Sequence, residues 1–548
     1  MDADVGRWFD RWYWCLVLVL CIPPWLFSYF PAQDGPTHLH NVVMLLHYGS
    51  EQYPAVERFF SINTSVDPTW FGHGVIALLI LLCGDALLAH KVLLTGYVLL
   101  FAWALRYFTA STQPASRWLA FLGLPFIYSQ LFHKGFYAFS FSVPLVLLVI
   151  GYWLRHQVDW RPARVLGLAS LILILYLAHP VGMFMAAVAL AAIVAMRSMQ
   201  IWQESGFSFS GLVAVCRAQA LPVAMAFLPT LILLAAFMWD RQSVFLFEMS
   251  PWFRLAHLGA LSTLISYQSE ELIFTLGIAL TISGLGLLGL RQWWAGRQHM
   301  AAALLCGVIA LIGIAVFFPE QKLLTPGSDK LAGYYFQQRT QAFPYLLALG
   351  WLGVFGFSLR VRQAAIVLAS VSVIGLLVLH LSRYVEFEGY IEDWVSVAEH
   401  VEPNSVVLAL NLSRDVDRGP DGQLLSEFVP PLQHASNWVC LLRDAICLEN
   451  FEGNTGYFPL LFRPELDPYV HIGGFHEQIP SGQFADYSAR TGAPLDYVMV
   501  WRSHDERQID YSDLYRQLES GFELIHRSPR YGYLALYRQR NAAIGQGD

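Results

Sequence analysis

Charge is the scarcest ingredient of this 548-residue chain. Only 14% of its residues are Asp, Glu, Lys or Arg, where a soluble domain carries roughly 25%. A soluble protein of this size could not hide a 56% hydrophobic composition without dividing into several charge-surfaced domains; lipid solvates such a chain instead. The net charge of -7 gives no basic surface of the kind nucleic acid requires, so no nucleic-acid partner is expected. The seven cysteines form no Cys-x-x-Cys pair, so neither a metal nor a redox framework is visible. Cys440 and Cys447 stand close enough to bridge, or to remain two buried thiols. No Gly-rich phosphate loop occurs in the C-terminal region, which argues against nucleotide binding there. No small-x-small cleavage site follows the apolar run from Tyr13 to Phe30, so that run reads as an uncleaved span, not a signal peptide.

Long apolar runs are what the chain has in abundance. A spanning helix needs about 20 mainly apolar residues. Runs of that kind fall near 13–30, 89–107, 118–133, 138–154, 165–178, 181–196, 219–238, 271–290, 300–318, 342–359 and 363–382, giving a mostly α, polytopic bundle of about eleven spans. The pair around Ala178-His179-Pro180 reads either as a tight hairpin or as one broken helix. With a cytoplasmic N-terminus, the cytoplasmic loops hold Arg106, Arg117, Arg155, Arg161, Arg164, Arg197, Arg217, Arg291, Arg297, Arg360 and Arg362, as the positive-inside rule asks. The segment Thr69 to Lys91 is apolar but closes on Asp85, His90 and Lys91. Reading it as interfacial keeps the Arg-rich loops inside; reading it as a span would turn them out.

The segments expected on the outer face are 31–88, 239–270 and 319–341, together with the tail. This divides the chain into a helical bundle over 1–383, with its first outer loop at 31–88, and a soluble periplasmic part over 384–548. The tail alternates helix and strand. An amphipathic helix is expected at Ile391 to Val401 and another at Tyr511 to Ser520. Strands are expected at Ser405 to Leu410, Asp496 to Trp501 and Tyr533 to Tyr537. That pattern describes a small α/β domain. The bilayer is the expected partner of such a chain.

The stretch Pro31-Ala-Gln-Asp34-Gly-Pro36-Thr-His38-Leu-His40-Asn41 carries the densest chemistry. Gly35-Pro36 starts a helix, and Asp34 stands where a carboxylate caps one. His38, four residues on, shares a face with Asp34. One reading makes Asp34 a cap and the histidines interfacial polar residues. The other makes this loop the reactive centre.

A first span, an outer loop opening on an acid, and interfacial helices before the second span together resemble the GT-C superfamily of membrane glycosyltransferases. Gln33-Asp34-Gly-Pro36-Thr-His38-Leu resembles a D-x-P-x-H-L pattern of its bacterial members. The resemblance implies an enzyme that takes a sugar from a polyprenyl-phosphate-linked donor to a glycan, lipid or protein acceptor on the outer face, inverting the anomeric centre, with Asp34 as general base. No D-x-D occurs in the loop, so no metal or other cofactor is expected. His38 and His40 are candidate substrate contacts. The same chemistry needs cations for the departing phosphate. Arg339, before a late span, suits a phosphate by its planar fork, although an interfacial arginine also anchors at headgroups. Lys134 and Arg254 are further candidates, as are Lys322, Lys330 and Arg241 beside Asp240. His179 lies at a helix break, where it caps or serves a site. In the tail, His434, Asn437, Asp444 and Asn454-Thr-Gly456 form a polar region, either acceptor contacts or ordinary loop.

Three alternatives stay open. A transporter or flippase of lipid-linked glycans would show inverted repeats and charges at mid-membrane; no repeat is visible, and the charges sit in loops. A polysaccharide polymerase or ligase would lean on a late arginine-bearing loop. An assembly scaffold would need no reactive carboxylate at all.

Overall fold

The computed structural model describes the chain except residues 1–2, 66, 69, 240–242, 247–248, 297, 320, 325–330, 334, 414–417, 420–421, 474–483, 503–510 and 541–548. The chain opens with α1 (Ala3–Leu20), turns, and enters a first loop that carries two helices, α2 (Gly35–Leu46) and α3 (Trp70–Cys83). There follow α4 (Ala86–Thr112), α5 (Tyr137–His156), α6 (Pro162–Ala178), α7 (Pro180–Glu204), α8 (Phe209–Trp239), α9 (Ser269–Gly296), α10 (His299–Phe317), α11 (Phe336–Leu352) and α12 (Leu359–Val395). Seven of them, α4, α5, α7, α8, α9, α10 and α12, are long and apolar enough to cross a membrane. They coincide with seven of the expected spans. Their outward positions carry exposed leucines and isoleucines, such as Leu280 at 70% and Ile273 at 71%. Lipid tolerates such surface and water does not.

The other four expected spans take different forms. The run at 13–30 divides: α1 begins earlier, at Ala3, and stops at Leu20. Pro23-Pro24 removes two backbone donors and restrains the residue before it, so the helix cannot continue. The run at 118–133 is a 3-10 helix, Pro114–Phe126, in which Trp118 to Phe126 are all buried. A tightened helix at membrane depth is tolerated only inside protein; here α4, α11 and α12 pack around it. The run at 165–178 is the short helix α6, and that at 342–359 becomes α11, shifted to Phe336–Leu352. At His179 the helix breaks: the residue is extended, and α6 and α7 pack against each other on either side of it. α3 has 14 residues, about 21 Å at 1.5 Å each, short of the roughly 30 Å hydrocarbon thickness.

Arg106, Arg117 and Arg155 gather where α1 begins and α4 ends. Arg106 and Arg117 both pair with Asp10 at the start of α1, at 2.6 and 2.9 Å. Arg155 donates to Ser111 at 2.9 Å. Ser116 donates to the Gly353 carbonyl at the end of α11, 2.7 Å away. The first loop and the C-terminal region occupy the other end of the bundle.

α12 joins the two ends. Its 37 residues make a rod of about 55 Å, unbroken through Tyr384 to Val395. The amphipathic helix expected at Ile391 to Val401 is therefore the tip of α12 followed by a 3-10 turn at Ala398–His400. Beyond it lies a five-stranded sheet of β1 (Val406–Asn411), β2 (Ile446–Cys447), β3 (Tyr497–Trp501), β4 (Phe522–Arg527) and β5 (Leu534–Gln539), in the order β2-β1-β3-β5-β4. β1 runs parallel to β2 and β3, and β5 antiparallel to β3 and β4. The expected strands in 405–410, 496–501 and 533–537 are all present. Two small helices precede and follow β2: α13 (Ser436–Arg443) and α14 (Phe451–Asn454). Cys440 and Cys447 are free, buried thiols.

One carboxylate staples the rod to the sheet. Asp393 is 1% exposed and accepts from Ser528 Oγ at 2.6 Å and from the Arg530 and Tyr531 amides at 3.1 and 3.4 Å. Trp394 stacks on Trp501 beside it, centroids 5.0 Å apart. Removing a buried charged acceptor leaves its donors unpaired, a cost of roughly 1.5–3 kcal/mol. Asp393→Ala is expected to loosen the C-terminal region first, read as accelerated proteolysis of the tail in detergent while the bundle stays intact.

Candidate functional site

The site begins with a seam between two loops. The amides of Gln33 and Asp34 donate to the carbonyls of His133 and Lys134 at 3.0 and 3.1 Å. The next residue, Gly135, has φ +79°, a region that penalises any side chain. A Cβ there would stand 2.7 Å from the Gly35 nitrogen and 2.8 Å from that of Asp34. Only glycine lets the loops close this tightly.

Asp34 sits on this seam at the start of α2 and makes no cap hydrogen bond, so the capping role is not what holds it. Pro36 already fills the first turn, where the missing amide donor is harmless. The residue is 5% exposed, and its Oδ1 has no hydrogen-bond partner among the described residues. His434 Nε2 is the nearest cationic atom, at 3.7 Å. Burial pushes the Asp34 carboxyl above its usual range and Glu452 adds to this, opposed by His434, His38 and Lys134. A carboxylate so raised is a stronger base when ionised.

Two cations lie near it without an acid of their own. Lys134 is 4% exposed and donates only long bonds, to Gln33 Oε1 at 3.4 Å and the Tyr335 hydroxyl at 3.3 Å, with the ammonium 4.4 Å from the Tyr335 ring centroid. Arg339 lies over Phe136, 4.8 Å from its centroid, and its Nη1 meets His179 Nε2 at 2.6 Å. The other nitrogen of His179 accepts from the Val181 amide at 3.1 Å, capping α7. A neutral imidazole has one acceptor nitrogen, so His179 cannot satisfy both donors. The Arg339 Nε is buried with no partner among the described residues. In that same set, no carboxylate forms an ion pair with Lys134 or Arg339.

The remaining sequence candidates fall elsewhere. His40 is fully buried, its Nδ1 3.1 Å from Asn437 Oδ1 and its Nε2 3.5 Å from the Tyr53 hydroxyl; burial lowers its pKa to about 4. It rivets α2 to α13, and the reciprocal Asn41–Asn450 amide pair, at 2.8 and 3.0 Å, ties α2 to the start of α14. The Arg254 guanidinium donates to the carbonyls of Val316 and Phe318 at the end of α10, where the last carbonyls of a helix lack partners; no described contact joins it to Asp34. Asp444 ends α13 in a left-handed conformation. Asp240, Arg241 and Lys330 lie outside the described residues, as does the side chain of Lys322.

Several neighbours of the site were not legible as such. His434 bonds Glu449 at 2.5 Å through Nδ1, which leaves Nε2 toward Asp34; burial alone would lower its pKa, but Glu449 and Asp34 raise it. Glu452 accepts from His38 and, at 2.9 Å, from His73. Burial opposes its charge, yet the two histidines hold its carboxyl down at about 2. Behind the seam, His133 lies 2.7 Å from Ser266 Oγ and 2.5 Å from the Tyr384 hydroxyl. Glu271 accepts the amides of Ser266, Tyr267 and Gln268 at 2.6, 2.9 and 3.1 Å and meets His380 at 3.2 Å. His73 carried one available signal, an ionisable residue in the otherwise apolar run of α3.

A helical membrane bundle with two helices after α1, an acid opening the loop that carries them and an appended α/β sheet is the layout that the resemblance to GT-C enzymes led us to expect. Among solved structures the chain is similar to ArnT from Cupriavidus metallidurans in the apo state, at 9% identity over 98% of each chain with a TM-score of 0.52. It is also similar to that protein bound to undecaprenyl phosphate, at 9% identity over 99% of each chain with a TM-score of 0.49. The likeness is one of fold. No protein-family model and no curated protein sequence matches the chain.

The seam makes Gly135 the most sensitive backbone position of the site. Gly135→Ala combines a left-handed conformation, about 1–2 kcal/mol, with contacts under 3.0 Å to backbone. It is expected to lower the melting temperature in detergent and to displace Asp34, whereas Gly49→Ala, also at positive φ but with nothing within 4 Å, should cost the conformational term alone.

Proposed function

We propose that this protein is a membrane glycosyltransferase that moves a sugar from a polyprenyl-phosphate-linked donor to an acceptor hydroxyl on the outer face of a bacterial inner membrane. The observation that carries this reading is the pairing of a buried, uncapped Asp34 with two cations, Lys134 and Arg339, that have no carboxylate partner among the described residues. A buried positive charge without a counter-ion is unfavourable. A phosphate supplies the counter-ion, and Arg339 offers it a planar fork. The GT-C fold supports the same reading.

In this mechanism Asp34 takes the proton of the acceptor hydroxyl as that oxygen attacks the anomeric carbon. The bond to the lipid phosphate breaks on the opposite side, with inversion, and Lys134 and Arg339 stabilise the charge that develops on the departing phosphate. His434 Nε2, held toward Asp34 by Glu449, keeps the carboxylate oriented. The region from about 384 onward stands on the outer face and frames the acceptor side, while the basic end of the bundle faces the cytoplasm.

Asp34→Asn keeps the shape and removes the base. Its sugar transfer from a lipid-linked donor in proteoliposomes is expected to fall by at least about 100-fold with an unchanged melting temperature. Full activity in that variant would remove Asp34 from the chemistry. Lys134→Ala and Arg339→Ala are each expected to weaken binding of a short-chain polyprenyl phosphate by about 10- to 100-fold, the worth of one hydrogen bond to a charged group. Binding unchanged in both would place the phosphate elsewhere.

A further inference from the structure

His38, His73 and Glu452 come from three separate elements, α2, α3 and α14, and converge in one enclosed cluster. Their ligand-capable atoms all lie within 4.8 Å of one another. The side chains of His38, His73 and Glu452 are 13%, 5% and 1% exposed. His38 offers Nδ1 and His73 offers Nε2, each to a different oxygen of Glu452. The rings of the two histidines meet edge to face at 5.7 Å, and Phe458 flanks both, at 6.0 and 5.6 Å.

The donor set and its surroundings point the same way. Two imidazoles and one carboxylate are a recurrent three-ligand set for zinc, and imidazole selects against calcium and magnesium. Metal-bound histidines use their second nitrogen as a donor to a carbonyl or carboxylate, which sets the tautomer. As the three side chains stand, Glu452 accepts from both histidines, and a cation would replace the two ring protons that face its oxygens. Tetrahedral bonds of about 2.0–2.1 Å require ligand atoms roughly 3.3 Å apart, within reach of side-chain rotation from the observed positions.

We infer that His38, His73 and Glu452 form a binding site for a divalent transition-metal ion of the zinc class. The ion clamps the C-terminal region onto both helices of the first loop. Because His38 lies one helical turn past Asp34 and its amide donates to the Asp34 carbonyl at 3.1 Å, the clamp reaches the residue at the seam. The inference is independent of the glycosyl-transfer reading, since it requires only that three side chains share one cation.

The test uses the full-length protein in detergent, freed of any affinity tag. After dialysis against a chelator and reconstitution with zinc chloride, the wild type is expected to retain about one zinc per chain by mass spectrometry of the metal, and its melting temperature to rise. His73→Ala and Glu452→Gln are each expected to bind zinc at least about 100-fold more weakly, the upper end of what even an indirect metal contact costs. X-ray absorption of the zinc-loaded wild type needs no variant; it should show imidazole nitrogen and carboxylate oxygen as nearest neighbours. A wild type that retains no zinc, variants that retain it equally well, or a sulfur-dominated absorption spectrum would each overturn the site.

Discussion

Two backbone hydrogen bonds, from Gln33 and Asp34 to the carbonyls of His133 and Lys134, tie the first loop to the loop before α5. Everything at the site is arranged around that seam. It places a carboxylate and an ammonium at adjacent points of two crossing strands of chain, without allowing them to collapse into an ordinary ion pair. Asp34 keeps an oxygen free, and Lys134 is left with distant neutral partners. A low-dielectric setting strengthens whatever polar interaction is finally made there. The buried polar network of His133, Ser266, Tyr384, Glu271 and His380 holds the far side of the seam rigid.

The bundle and the sheet are not independent layers that happen to touch. His434 and Glu452 reach the first loop from the C-terminal region, and His40 and Asn41 reach back. α12 makes the same connection through the core, with Asp393 and Trp394 fastening its tip. A site assembled from both parts depends on the relative placement of the two, which is what these paired contacts secure.

How much of this was readable from the residues follows from range. Seven spans were legible because each is a local run of apolar residues, and so were the strands at 405–410, 496–501 and 533–537. The helix breaks at Pro23-Pro24 and His179-Pro180 were visible as prolines, but the winding of residues 114–126 as a 3-10 helix depends on tertiary packing. Asp34 stood out because it shares seven residues with two histidines. The groups around it did not stand out as its neighbours: His434, 3.7 Å away, and Glu452 lie 400 or more residues further on, and no spacing rule joins them to residue 34. His40 shared the same local signal as His38 yet turns into the packing against Asn437 and Tyr53, since the two residues face different sides of α2. Arg254 looked like a phosphate ligand and instead satisfies the carbonyls at the end of α10.

The separation of 414 residues between His38 and Glu452 also has a temporal meaning. At about 5–20 residues per second, a ribosome emits the first partner on the order of tens of seconds before the second. Throughout that interval the long apolar helices are made while the first loop waits with its acid and its histidines only partly engaged. The cluster around Asp34 and His38 is therefore completed only when the stretch from His434 to Glu452 has emerged. A nascent protein interrupted after α12 would hold an assembled bundle with an unfinished centre.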